Sequence, residues 1–111
     1  MKELLEVSRE ILKWIKTANY ERVKPILETT LFDDSRKLVY HLSDGNNTSS
    51  IIASKTPVST YSISIWWRQW ANLGIVEFIP VKGGGSRGKK IFDLEDFDIT
   101  IPKIPEKKPE E

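Results

Sequence analysis

From the first residues the apolar positions recur at helical spacing. In MKELLEVSREILKWIKTA, Leu4, Leu5, Ile11, Leu12 and Ile15 alternate with Glu and Lys, which predicts an amphipathic helix. Arg9 and Lys13 stand at offsets suited to pairing with Glu6 and Glu10. YERVKPILETTLF predicts a second, short helix, with Pro25 either in its first turn or kinking it. Asp33 and Asp34 then precede SRKLVYHL. Acidic residues suit a helix N-terminus, and Leu38, Val39 and Leu42 supply an apolar side. Asp44-Gly45 predicts the end of that helix, with Gly45 suited to a left-handed cap. NNTSS offers N-caps for a short helix through Ile51, Ile52 and Ala53, stopped by Thr56-Pro57 because the residue before proline avoids helical backbone.

Ser59 is the next candidate N-cap, for a helix over TYSISIWWRQWANL that Gly74 closes. The alternation in STYSISIWW makes a strand the competing reading. Helical geometry separates the two. With Ile63 at zero and about 100° per residue, Trp67, Trp70, Trp66 and Leu73 fall at about 40°, 340°, 300° and 280°. They form one arc of about 120°, the width of a buried stripe. Tyr61, Ser64, Ile65, Arg68, Gln69 and Asn72 hold the other side. A strand would send Trp66 and Trp67 to opposite faces. IVEFIPV then reads as a strand with Pro80 at an edge or bulge, GGGSRG as a flexible turn, and KKIFDL as the returning strand.

Composition narrows the chemistry. The 111 residues contain no cysteine and one histidine, His41, so disulfides, thiolate metal sites and cysteine nucleophiles are excluded. His41 is expected to be structural or at the surface, and Asp33, Asp34 and Asp44 to serve as caps. Asp93, Glu95, Asp96 and Asp98 match no calcium-loop spacing. GGGSRGKK lacks the GxxxxGK[ST] spacing of a phosphate-binding loop and sits between strands, so nucleotide hydrolysis is not expected. The expectation is a cytoplasmic, non-enzymatic binding module with no cofactor, no metal, no small-molecule ligand and no membrane segment.

The net charge of +1 conceals a strong polarity. Residues 55–92 carry Lys55, Arg68, Lys82, Arg87, Lys89 and Lys90 against Glu77 alone, whereas residues 93–111 carry three positive and seven negative charges. The proline- and charge-rich end, IPKIPEKKPEE, predicts a largely disordered tail. Three parts follow: an N-terminal helical extension over 1–32, a domain over 33–94, and the acidic tail over 95–111.

Within residues 33–94, RKLVYHLSDGNNTSSIIASKTPVSTYSIS is followed by WWRQWANLGIVEF and GGGSRGKKIFDL. This succession resembles a winged helix-turn-helix domain of bacterial and archaeal transcription regulators. A helix ending in Leu-Gly-apolar-Val leads directly into a hairpin whose tip is basic and glycine-rich. The resemblance implies an α+β fold with extra N-terminal helices and a two-stranded β wing. It also implies that the partner is double-stranded DNA, with helix 59–73 in the major groove and wing 82–90 on the backbone or adjacent minor groove. The residues so assigned are Ser59, Thr60, Tyr61, Ser64, Ile65, Arg68 and Gln69 on the helix, and Lys82, Arg87, Lys89 and Lys90 on the wing. Arg68 suits guanine O6 and N7, Gln69 suits adenine, and Ile65 a thymine methyl. Basic wing residues suit phosphates.

The alternative is a protein-interaction winged helix within a transcription or other multiprotein complex. The near-neutral total and the single basic residue on the helix point that way. The apolar stripe of residues 1–32 is not required by a minimal winged-helix core; it suits either packing onto that core or, the reading favoured here, a homodimer interface.

Overall fold

The computed structural model describes residues 2–83 and 85–103. Among these the fold is α+β, with four α-helices, a two-stranded antiparallel sheet and one short 3-10 helix. The chain divides into two compact units, Met1–Thr30 and Leu31–Glu111.

The first unit is a single helix, α1 (Lys2–Thr30), where the sequence pattern predicts two. No glycine interrupts the stretch between them, and Thr17 does not serve as a cap. Its Oγ1 instead donates back to the Lys13 carbonyl at 2.9 Å, a bond that keeps the residue inside the helix. Pro25 lies within the helix and leaves the Glu21 carbonyl without its usual donor.

In the second unit each α-helix starts on a side-chain cap. Asp33 Oδ1 accepts from the Arg36 N–H at 2.8 Å and opens α2 (Asp34–Leu42). Thr48 Oγ1 accepts from Ile51 N–H at 3.1 Å and opens α3 (Ser49–Lys55). Ser59 Oγ accepts from Ser62 N–H at 3.2 Å and opens α4 (Thr60–Leu73). Between α2 and α3, Asp44 Oδ1 accepts from the N–H groups of both Asn46 and Asn47, which turns the chain. Gly74 closes α4 at φ +83°, where a side chain would be strained. The helical reading of residues 60–73 holds, and the strand reading is excluded.

The hairpin differs from its expected registration. Strand β1 is Val76–Pro80 and β2 is Ser86–Lys90, with Phe78 opposite Gly88 and Ile79 opposite Arg87. The returning strand is therefore SRGKK rather than KKIFDL. Arg87, Lys89 and Lys90 belong to a paired strand, not to a loose tip.

Order also continues beyond residue 94. Leu94–Phe97 forms the 3-10 helix, and Leu94, Phe97 and Ile99 are buried. The apolar members of LEDFDI insert into the core while Glu95, Asp96 and Asp98 face solvent. Residues 95–99 are thus ordered where a disordered tail was expected, and residues 104–111, on which the rest of that expectation falls, lie outside those described. Among the described residues, no helix is long and apolar enough to cross a membrane.

Candidate nucleic-acid interface

Helix α4 has an inner and an outer side. Ile63, Trp67 and Trp70 are buried. Trp66 is half-buried beside Trp70, with ring centroids 5.9 Å apart. Leu73, expected in the buried stripe, is 53% exposed because the helix ends at Gly74 and the chain turns away. The Arg36 guanidinium lies between the rings of Phe32 and Trp66, at 4.2 and 4.6 Å from their centroids, and also pairs with Asp33.

Trp67 joins three elements. Its Nε1 donates to Ser43 Oγ at 2.8 Å, and Ser43 Oγ donates to the Val39 carbonyl at 2.7 Å. The indole face lies against Gly88 of β2, where an added Cβ would come within 2.6 Å of the ring. The Ser43 carbonyl in turn accepts from the Lys90 N–H at 2.7 Å. Tyr40 ties the same elements from below. Its hydroxyl donates to the Ile75 carbonyl at 2.8 Å and accepts from the Phe92 N–H at 3.2 Å. Its ring meets Trp70 edge-on, with centroids 5.6 Å apart. Burial pushes the Tyr40 phenol up to about 12, so it stays a donor. Helix and hairpin are thus held on one set of buried contacts.

The outer side of α4 is polar and accessible. Tyr61 is 75% exposed in the first turn, and Ser59, Thr60, Ser64, Arg68 and Gln69 are exposed with it. Ile65 is half-buried. Two of these hydroxyls already have local partners: Ser59 Oγ caps the helix, and Ser64 Oγ donates to the Thr60 carbonyl at 3.0 Å.

The four hairpin cations separate into two pairs. Lys82 and Lys89 are exposed. Arg87 and Lys90 are half-buried and engaged within the domain. Arg87 Nη1 donates to the Asn46 carbonyl at 3.0 Å, and its Nε is buried without a partner. Lys90 Nζ donates to the His41 carbonyl at 3.1 Å and pairs with Asp93 at 3.3 Å. These two clamp the hairpin to the last turn of α2 and to the turn that follows it. Period and charge could not separate them from Lys82 and Lys89, because their partners are backbone carbonyls more than forty residues away.

Ser43, Asn46 and Gly88 carry the positioning of the face, and none of them stands out in the sequence. Gly88 sits in what reads as a loop, so its close approach to an indole has no local signal. Lys55, exposed at the end of α3, is a further cation near the start of α4. His41 is half-buried with Nδ1 unpartnered; burial first, then the nearby Lys90 charge, lowers its pKa. Among the described residues, no group of three His, Asp or Glu is placed to hold a metal ion.

No family model, curated protein or solved structure matches the chain.

Proposed function

We propose that the chain is a winged helix-turn-helix protein that binds double-stranded DNA and regulates transcription. Helix α4 enters the major groove, and the 82–90 wing lies on the backbone or adjacent minor groove. The order α2, turn, α3, α4, hairpin supports this reading. The observation that carries it is the two-sidedness of α4. Arg68 and Gln69 stand exposed on the helix whose opposite side, through Trp67, also seats the hairpin. A side chain so backed is held rigidly enough to read a base edge. Lys82 and Lys89 supply the phosphate contacts of the wing. The reading includes no catalytic step and no cofactor.

One observation favours a second reading, a protein-interaction winged helix. Arg87 and Lys90 are committed to internal contacts, which lowers the charge available to phosphates, while Tyr61 presents a large amphipathic ring.

Selection on random duplexes, followed by anisotropy titration of wild type and Arg68→Ala at several salt concentrations, tests both. Arg68→Ala is expected to cost about 1–3 kcal/mol on the selected site and far less on random DNA. Equal loss on both duplexes removes α4 as a sequence reader. Wild type that fails to bind any duplex at low salt replaces this reading with the protein-interaction one.

A further inference from the structure

The hairpin is asymmetric in charge from edge to edge. Strand β2 lies between two neighbours. On one side is β1, in the register that places Glu77 opposite Lys89. On the other side runs the turn after α2. There Asp44 forms an isolated antiparallel bridge with Lys89, and the Ser43 carbonyl accepts from the Lys90 N–H at 2.7 Å. Strand alternation puts Glu77, Ile79, Arg87 and Lys89 on one face, while Gly88 on the opposite face meets Trp67.

Both cations of that face lean toward the turn. A Cβ on Gly45 would lie 3.3 and 3.4 Å from Cδ and Cγ of Lys89, so the Lys89 stem runs over Gly45. Arg87 Nη1 reaches the Asn46 carbonyl. The opposite edge, VEFIP, carries Glu77 as its only charge. Neighbouring strands are spaced by about 4.8 Å, so β1 lies about 10 Å from the turn, about one Debye length at 0.1 M salt. A phosphate on the turn side meets Lys89 with Glu77 screened, whereas one on the β1 side meets Glu77 first. Asp44, the carboxylate of the turn side, has its Oδ1 engaged by the N–H groups of Asn46 and Asn47. Asn46 is exposed on this edge. Its backbone N–H and carbonyl are taken by Asp44 and Arg87, and among the described residues no hydrogen bond holds its side-chain amide. An amide donor on the same edge as Lys89 suits a phosphate oxygen.

We infer that the duplex backbone follows the turn-side edge of the wing, with the Asn46 amide and the Lys89 ammonium on its phosphates and Glu77 on the edge away from it. The DNA-binding reading above is the premise; the edge that the backbone follows and the contact made by Asn46 go beyond it.

Anisotropy titration of the full chain on the selected duplex and a random one, at several salt concentrations, tests the edge by moving charges one at a time. Asn46→Lys is expected to steepen the salt slope by about 0.9 on both duplexes, the value of one further phosphate contact. Glu77→Lys, which reverses a charge on the far edge, should leave the slope as in wild type. Asn46→Ala removes the amide and neither backbone bond, so it should weaken binding about three- to tenfold on both duplexes at an unchanged urea midpoint. This variant also decides the matter if a lysine disturbs the turn. A slope steepened by Glu77→Lys and not by Asn46→Lys puts the backbone on the β1 side and overturns the inference while DNA binding stands. Equal steepening by both lysines shows that neither edge is preferred and overturns it too. So does an Asn46→Ala variant that binds as wild type does. Wild type that binds no duplex at low salt removes the DNA-binding reading itself, and the contact edge with it.

Discussion

Gly88→Ala tests whether Trp67 holds helix and hairpin together. The added methyl carbon would lie 2.6 Å from Cδ2 and Cγ of Trp67 and 2.7 Å from Cδ1. Carbon atoms pack at about 3.5–4.0 Å, so the shortfall is about 1 Å. The indole has nowhere to go, being 3% exposed and tied through Nε1 to Ser43 Oγ. Either β2 moves outward or the indole turns and gives up its hydrogen bond. Overpacking of this kind costs about 1–3 kcal/mol, and a buried indole N–H left unpartnered adds a comparable amount. We expect Gly88→Ala to destabilise the chain by about 2–4 kcal/mol. Urea unfolding followed by far-UV circular dichroism measures this as a lower midpoint at unchanged slope. Ser86→Ala, exposed on the same strand, is the control and should stay within about 0.5 kcal/mol of wild type. A Gly88→Ala variant as stable as that control would show that the close approach of indole and strand does not hold the hairpin.

The buried Tyr40 hydroxyl, the half-buried Arg87 and the exposed Lys89 each carry a further prediction. Because folding raises the Tyr40 phenol from 10.0 to about 12, its contribution is complete below pH 10. Between pH 10 and 12 only the unfolded chain ionises there, and stability should fall by about 2–3 kcal/mol. Urea midpoints of wild type and Tyr40→Phe across that range check this, and parallel curves would remove Tyr40 as the cause. On the hairpin, Arg87→Ala should destabilise the fold by about 1 kcal/mol through loss of the Asn46 contact, with no change in the salt slope of DNA binding. Lys89→Ala should leave stability within about 0.5 kcal/mol and lower that slope by up to about 1. Equal salt slopes for the two variants would return Arg87 to the phosphate-contacting set.

The elements that the sequence determined by itself are those whose signals are local. Asp33, Thr48 and Ser59 cap helices within three residues, and Gly74 ends α4 through its own φ, so α2, α3 and α4 are legible from spacing and end signals alone. The inward turn of Trp67 and Trp70 follows from the helical period for the same reason. The tertiary structure decided what depends on partners distant in the chain. Strand β2 begins at Ser86 because Gly88 can lie flat on Trp67, and that fit is invisible in a glycine-rich run. Arg87 and Lys90 leave the set of available cations because Asn46 and His41 offer carbonyls, and any residue has a carbonyl. Leu94, Phe97 and Ile99 are drawn in because the core has room for them, although acidic residues surround them in sequence. Period, caps and turns act over one or two turns of chain, whereas register, clamping and burial are set by surfaces that only folding brings together.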